Sequence, residues 1–483
     1  MKKILFLLIS CFFITAACSD NSNEEGGEGN DQGTIVSDNL AEQNILRAIQ
    51  LMDKAVSCHF TGDGMAMGRY YNPYTNVLSD EKGSVWMYTS SIEAVNAILS
   101  SLQAHKESGN TAIYDKHFNR YSDLLSKLYD NADYYLGTFE LVSFTQTKKW
   151  SVYAVDRVND KGGANVTGVL NVYDDQMWLV RELLHSYKLT GNSKFLEKAE
   201  YLAEYVLDGW DSTRDSEGNE NGGIPWGPGY VTKHSCSNGP MVSPLVWLHE
   251  LYKGKSDVID HRYIDATDKK TRKVKTEKKS DYYLDFAKKV YDWQKEHLLR
   301  NDGIYNDMLG GCDPNCDIVY ETVDGVTYRA NTRLTRSENP PYSYNSGTMI
   351  SGAADLYKAT GNSTYLDDAK RLSDASFNYF AKLGATHAGY YSYEVSGFNN
   401  WFNGVLMRSY VDVYSSHNTA AKYIDSFQKN LDYGYSNHLY DATLPTNLLV
   451  GWNRDKGKND TEGMFSFTFA AEYAILSQYE LEK

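Results

Sequence analysis

Proline is scarce in this chain, nine in 483 residues, so little in the sequence interrupts helices. Positive charge is in deficit: 48 Lys and Arg face 63 Asp and Glu, for a net charge of −15. That balance argues against a nucleic-acid partner, whose phosphates need Lys and Arg to neutralise them. The eleven histidines form no HExxH pattern, and no GxxxxGK[ST] phosphate loop occurs. Long apolar runs are also missing. The run at residues 4–14 is too short to span as a permanent helix, and no other approaches the roughly 20 residues needed to cross a bilayer. Cysteine is limited to six residues, and a chain of this length can build a deep core without disulfides.

What the N-terminus does have is an address. Lys2 and Lys3, the short apolar run and Thr15-Ala16-Ala17 make residues 1–17 a secretory signal peptide. Cys18 directly after two alanines fits a bacterial lipobox, with Thr15 in place of the usual Leu. Cys18 is therefore expected to carry a lipid anchor. Residues 18–36, rich in Gly, Asn, Ser and acid, are expected to be a flexible tether, because residues 19–34 offer nothing apolar to bury. Residues 37–483 are read as a single domain. The expected location is the cell envelope of a Gram-negative bacterium, at the outer membrane or cell surface. The lipid would be the only membrane contact, and the protein a monomer. In such a compartment Cys312-Asp-Pro-Asn-Cys316 can close a small loop, and Cys58 and Cys236 complete the set. No His or second Cys pair lies near enough to suggest zinc, and no metal or cofactor is expected.

From about residue 37 the apolar period is helical. Val85, Tyr88, Ile92, Val95 and Leu99 recur at three and four, as do Met177, Val180, Leu184 and Tyr187. Twelve segments of this kind are predicted, near 38–58, 82–106, 110–135, 172–190, 193–208, 239–253, 280–298, 343–360, 363–382, 400–416, 419–432 and 461–480. One junction is repeated: YKLTGNSKFLEKA at 187–199 and YKATGNSTYLDDA at 357–369. Gly191 and Gly361 are read as left-handed helix ends, and Ser193 and Ser363 as caps of the next helix. A weaker copy starts at Tyr252 and is interrupted by a charged insertion, residues 254–280, read as a hairpin or loop. Repeated helical hairpins without a 34-residue period predict an all-α fold, an (α/α)6 toroid of six hairpins. The stretches 137–170, 209–238 and 299–342 are expected to be rim loops.

Thirty-nine Tyr and nine Trp suit core packing and also sugar recognition. The sharpest chemical feature is Tyr173-Asp174-Asp175 with Trp178, at a helix start just after Asn171. Acids in a first turn complement the helix dipole, and Asn171 can cap. Yet adjacent carboxylates repel, and glycoside hydrolysis needs one neutral and one ionised carboxyl. Trp178 is expected to pack behind the acids. Trp226, in the loop Gly222-Gly223-Ile224-Pro225-Trp226, is expected to meet sugar. Asn238, Tyr344-Asn345 and Phe402-Asn403 with Arg408 sit at further helix starts, where they can cap or contact hydroxyls. The acidic loop with Asp211, Asp215, Glu217 and Glu220 lacks the EF-hand spacing and is read as solvated.

Taken in order, Tyr173-Asp174-Asp175 with Trp178, Gly222-Gly223-Ile224 with Trp226, Asn238-Gly239, Tyr344-Asn345-Ser346-Gly347 and Phe402-Asn403-Gly404 with Arg408 resemble glycoside hydrolase family 76. The resemblance runs from about residue 40 to the end. It implies an (α/α)6 barrel and an endo-acting, retaining α-1,6-mannanase with Asp174 as nucleophile and Asp175 as acid/base. The implied substrate is α-mannan, polymeric or oligomeric. Tyr173, Trp226, Asn238, Tyr344, Asn345 and Arg408 are the candidate substrate-binding residues. The sequence departs from the family pattern at Pro225 and Ser346 and in insertions at 254–280 and 308–335. The competing readings are a non-catalytic glycan-binding lipoprotein and another (α/α)6 glycosidase or lyase.

Overall fold

A computed structural model describes residues 35, 37, 39–338, 340–453 and 459–483. The signal peptide, Cys18 and nearly all of the tether lie outside the described residues. Twelve helices are described: α1 (Leu40–His59), α2 (Val85–Glu107), α3 (Thr111–Ala132), α4 (Tyr173–Thr190), α5 (Ser193–Asp208), α6 (Val242–Tyr252), α7 (Lys279–Leu298), α8 (Ser343–Thr360), α9 (Ser363–Phe380), α10 (Asn399–Tyr414), α11 (Ala420–His438) and α12 (Gly463–Glu482). Each coincides with a predicted segment to within three residues, except that α11 runs six residues past the predicted end at 432.

The even-numbered helices pack side by side in the order α2, α4, α6, α8, α10, α12, and α12 closes on α2. An outer helix backs each: α3 on α2, α5 on α4, α7 on α6, α9 on α8, α11 on α10 and α1 on α12. The sixth hairpin of the (α/α)6 toroid is thus made from the two ends of the domain. Burial follows this layering. Outer α5 buries Phe195, Ala199, Leu202, Ala203 and Val206, a single stripe at helical spacing. Inner α12 is buried nearly all round, through Met464, Phe465, Phe467, Phe469 and Tyr473 among others.

The repeated junction forms the same structure twice. Gly191 and Gly361 both have φ of 70°, and their N–H groups donate to the carbonyls of Tyr187 and Tyr357 at 2.8 Å. The caps, however, are Asn192 and Asn362, not Ser193 and Ser363. The Asn residues hold extended backbone and accept from Lys194 N–H at 3.2 Å and Thr364 N–H at 3.1 Å, whereas each Ser is already the first helical residue.

The stretches expected to be loops carry antiparallel hairpins. Leu136–Val142 pairs with Thr147–Tyr153, and in the insertion 254–280, read as a hairpin or loop, Val258–Ile264 pairs with Arg272–Lys278. Met308–Asp313 pairs with Arg333–Glu338, enclosing a smaller hairpin of Tyr320–Val323 and Val326–Arg329. Cys312 and Cys316 are disulfide-bonded, while Cys58 and Cys236 are free. No described helix is long and apolar enough to cross a membrane.

Asn192→Ala should destabilise the domain by about 1 kcal/mol, whereas Ser193→Ala should change its stability by less than half of that. Urea unfolding of the two variants checks the assignment, and equal losses would return the cap to the serine.

Candidate active site

The acid pair opens α4, at the end of the barrel where all six inner helices begin. Asn171 does not cap this helix. Its Nδ2 donates to the Val166 carbonyl at 2.5 Å and its Oδ1 accepts from Tyr205 Oη at 2.7 Å, and Val172 holds the cap position. The free N–H of Tyr173 donates instead to the carbonyl of Trp226, at 2.8 Å. This bond fastens the Gly222–Trp226 loop to the start of α4 and brings Trp226 beside Asp174.

The two carboxyls have different surroundings. Burial pushes both upward from the usual carboxylate range. For Asp174 the rise is opposed by the Cys236 thiol, the Trp226 indole N–H and the backbone N–H groups of the helix start. None of these completes a well-aligned hydrogen bond: Asp174 Oδ1 and Trp226 Nε1 are both buried and unpartnered. Asp175 is only 6% exposed, and its rise comes from burial and then from the charge of Asp174, with nothing opposing it. Asp174 is the group favoured to ionise, and Asp175 the group favoured to keep a proton.

Trp226 is half-buried, stacked on His234 at 4.9 Å and tilted against Tyr230 at 4.6 Å. Trp178 packs behind the acids, edge-on to Trp401 at 4.8 Å. An aromatic floor continues from it through Trp401 to Trp86 at 5.1 Å, with Phe402 stacked on Tyr344 at 4.2 Å. Tyr344 lies beside Cys236, Asp307 and Asp174. Asn345 Nδ2 donates to Asp307 Oδ1 at 3.3 Å and leaves its own Oδ1 buried and unpartnered.

Three candidate binding residues, Tyr173, Asn238 and Arg408, are committed to the protein's own structure, and Tyr344 and Asn345, at 7% and 0% exposure, are buried as well. Tyr173 is 1% exposed, with its ring against Tyr205 at 5.0 Å, and is a wall residue rather than a sugar platform. Asn238 is fully buried: Oδ1 accepts from Ile224 N–H at 2.8 Å, while Nδ2 donates to the carbonyls of Ile224 at 3.0 Å and His234 at 2.8 Å. It holds the Trp226 loop instead of capping a helix or touching sugar. Arg408 is ion-paired with Glu93 in the barrel interior. The acidic loop is likewise structural, with Asp211 paired to Lys233 at 2.8 Å and Glu220 to Arg214 at 3.5 Å.

Sequence reasoning missed Asp307, His234, Cys236 and Trp86. Asp307 is a third carboxyl in the cleft, pushed up to about 6 by burial, with its Oδ2 3.8 Å from His234 Nδ1. Burial lowers His234 to about 4, so its ring is neutral and accepts or donates only as a neutral imidazole. No spacing rule connects Asp307 with Asp174, since the fold alone joins loops 133 residues apart. Among the described residues no group of three or more His, Cys, Asp and Glu is arranged to hold a metal.

Residues 122–252 and 274–479 match the family model described as glycosyl hydrolase family 76. Mannan endo-1,6-alpha-mannosidase DCW1 of Candida glabrata is 26% identical over 185 residues, which is 37% of this chain and 32% of that protein. Its Saccharomyces cerevisiae counterpart is 25% identical over 186 residues, with the same shares. The matches span about a third of the length of these curated relatives. Among solved structures, the family 76 mannosidase Bt3792 of Bacteroides thetaiotaomicron VPI-5482 aligns with a TM-score of 0.65 at 21% identity, covering 91% of this chain and 99% of that one. An inactive variant of the α-1,6-mannanase of Salegentibacter sp. HEL1_6, with two aspartates changed to asparagine and α-1,6-mannotriose bound, aligns at 0.58 and 18% identity, covering 90% and 99%. These structures share the (α/α)6 fold, and the family match extends over most of the domain: the chain belongs to glycosyl hydrolase family 76.

Proposed function

We propose that the protein is a retaining endo-α-1,6-mannanase acting on mannan backbones, tethered to the cell envelope by a lipid on Cys18. The observation that carries the catalytic reading is the unequal environment of the two adjacent carboxyls at the start of α4. Double displacement needs that inequality. Ionised Asp174 attacks the anomeric carbon as the glycosidic C–O bond breaks, and Asp175 gives its proton to the departing oxygen. A glycosyl ester on Asp174 results. Asp175, now a carboxylate, takes a proton from water, whose oxygen attacks the same carbon and releases Asp174. Two inversions leave the configuration retained. Trp226 and Trp86, on the rim, present aromatic surface to the sugar rings, and Asp307, held by Asn345 from behind, offers a hydroxyl partner. The α-1,6-mannotriose bound by the related Salegentibacter enzyme supports the substrate assignment.

A nucleophile cannot be bypassed by a better leaving group, but a proton donor can. Asp174→Asn should therefore be inactive on mannan and on an activated aryl α-mannoside. Asp175→Asn should lose about 10²–10⁴-fold on mannan yet still attack the aryl substrate, with azide rescuing the second step to give a mannosyl azide of retained configuration. Rescue of that kind in Asp174→Asn would exchange the two roles, and normal mannan cleavage by both variants would remove the pair from catalysis.

The same burial has a stability signature. Both aspartates have folded-state pKa values above their unfolded ones. Their contribution to stability is thus fully present below about pH 4 and is lost as pH rises through the folded-state values. Asp175→Asn carries no charge to bury and should melt higher than the unaltered protein at pH 8, with the gap closing towards pH 4. Parallel melting curves across that range would contradict the burial of an ionisable Asp175.

Anchoring is tested separately. Cys18→Ala should move the protein from the membrane fraction to the soluble fraction with mannan cleavage unchanged. Continued sedimentation with membranes would refute the lipid tether.

A further inference from the structure

The insertion at 308–335 places a small hairpin on the catalytic rim, and its two faces differ. Tyr320–Val323 pairs with Val326–Arg329, with Tyr320 opposite Arg329, Glu321 opposite Tyr328 and Thr322 opposite Thr327. Residues directly opposite share a face, and successive residues alternate between faces. Glu321 and Tyr328 therefore stand on one face, and Tyr320, Thr322, Thr327 and Arg329 on the other. The first face is covered by the neighbouring insertion: Arg272 pairs with Glu321 at 2.7 Å and lies over the Tyr328 ring at 4.2 Å.

The second face is anchored at one end and open at the other. Arg329 is buried, and it donates from Nη1 to the Pro228 carbonyl at 3.3 Å and from Nη2 to the Tyr230 carbonyl. Tyr320, its opposite, is 56% exposed and lies near enough to interact electrostatically with the guanidinium. Thr322 and Thr327 are exposed beyond it. Tyr230 carries the same surface inward: its ring is tilted against Trp226 at 4.6 Å, and its phenol lies close enough to Asp174 to respond to that charge. A chain of contacts thus leads from Asp174 through Tyr230 and Arg329 to Tyr320.

An exposed ring makes a useful platform only if it is already held in place, because ordering it on binding costs entropy. Tyr320 meets that condition. It lies in a strand closed by the two-residue turn Asp324-Gly325, both at positive φ (52° and 81°). Arg329 pins the opposite strand to the Trp226 loop, and a tyrosine has only two χ angles to fix. The open part of the face carries no charge, only a phenol ring and two threonine hydroxyls. That lining matches a neutral sugar, with its C–H face against the ring and its hydroxyls against the threonines. It is too small for a stable protein interface, which buries about 800 Å2 of each partner. We propose that Tyr320, with Thr322 and Thr327, forms a distal subsite for a mannose residue in the uncleaved part of the α-1,6-mannan backbone. The subsite rests on the mannanase reading and adds to it a preference for long chains over short ones.

The test is a series of unbranched α-1,6-mannooligosaccharides, from the trisaccharide to the octasaccharide, hydrolysed by the whole chain and two variants. The readout is the ratio of kcat/KM for the octasaccharide to that for the trisaccharide. Tyr320→Ser should lower this ratio about five- to tenfold, whereas Tyr320→Phe, which keeps the ring, should hold it to within about twofold. Because the ring is exposed, Tm should move by less than about 2 °C in either variant, so a lower ratio reads the subsite and not the fold. An unchanged ratio in Tyr320→Ser overturns the proposal. So does an equal loss at every chain length, or a loss in Tyr320→Phe as large as that in Tyr320→Ser. If the unaltered protein cleaves no oligosaccharide of the series, the mannanase reading falls and the subsite with it; cleavage with an unchanged ratio overturns the subsite alone.

Discussion

Two carboxyls one residue apart in a dry site cannot both ionise cheaply, so the position of every neighbouring dipole decides which one carries the charge. Here that decision rests on the loop ending at Trp226. The loop is fixed from three sides. Tyr173 N–H holds the Trp226 carbonyl, and Asn238 clamps both backbone groups of Ile224. Lys233, itself buried, bridges Asp211 Oδ2 at 2.8 Å and the Gly222 carbonyl at 2.5 Å. Beneath them Gly223, at φ +73°, lies so close to Trp293 that a Cβ would stand 2.3 Å from the indole. Only glycine meets both conditions. A shift of this loop would move the Trp226 N–H away from Asp174 and narrow the difference between the two acids.

The acids must also face the cleft, which requires α4 to keep its rotation in the inner ring. Apolar packing specifies this poorly, because inner helices are buried on most sides. A buried polar network specifies it better. Asn96 of α2 donates to Glu182 of α4, at 2.8 Å to Oε2 and 3.0 Å to the carbonyl, and accepts from Ser186 at 2.9 Å. Arg181 pairs with Glu182. Arg408 of α10 pairs with Glu93 of α2, which also accepts from Trp401 at 3.1 Å. Buried pairs of this kind add little net stability, since desolvation offsets the attraction. Their value lies in register: turning α4 by one residue would leave Glu182 and Asn96 unsatisfied, at about 1–3 kcal/mol for each buried polar group. Arg408, a residue the sequence motif marks for sugar, serves the cleft from beneath in this way.

The helices were legible because each depends on a local pattern. Period-three-and-four apolar spacing fixed twelve segments, and the Gly191 and Gly361 ends follow from backbone chemistry within a few residues. The caps were misplaced by one position because Asn and Ser stand side by side and both can cap; the chain's exit from the left-handed glycine decides between them. The hairpins in 137–170 and 299–342 were missed for a different reason. Strands such as Arg333–Glu338 have no buried residue on either face, so they lack the alternation that would announce them. In the site, Asp174, Asp175 and Trp226 could be picked out by type and local context. Asp307, His234 and Cys236 could not, because their roles come from contacts across loops far apart in sequence. Tyr173 and Asn238 carried the right motif, but residue type does not say which way a side chain points.

The charged insertion between α6 and α7 shows how a departure from the family pattern can serve the site from a distance. The family match breaks between residues 252 and 274, and the hairpin Val258–Ile264 with Arg272–Lys278 occupies the break. It leaves the barrel at the end opposite the acids, where inner helices pass to outer ones. Seven residues of strand rise about 23 Å, against about 30 Å for the twenty residues of α7, so the hairpin can climb most of that helix. Its upper end meets the catalytic rim. Arg214 Nε donates to the Ile264 carbonyl at 2.8 Å, Lys269 to the Ser216 carbonyl at 2.5 Å, and Arg272 to the Phe144 carbonyl at 3.2 Å. Arg272 also pairs with Glu321 at 2.7 Å. Arg329 continues the chain of contacts, with its N–H on the Ser143 carbonyl at 2.9 Å and its Nη1 on the Pro228 carbonyl at 3.3 Å. Pro228 is two residues from Trp226. The insertion therefore braces three rim loops, and one of them carries Trp226, whose N–H stands beside Asp174.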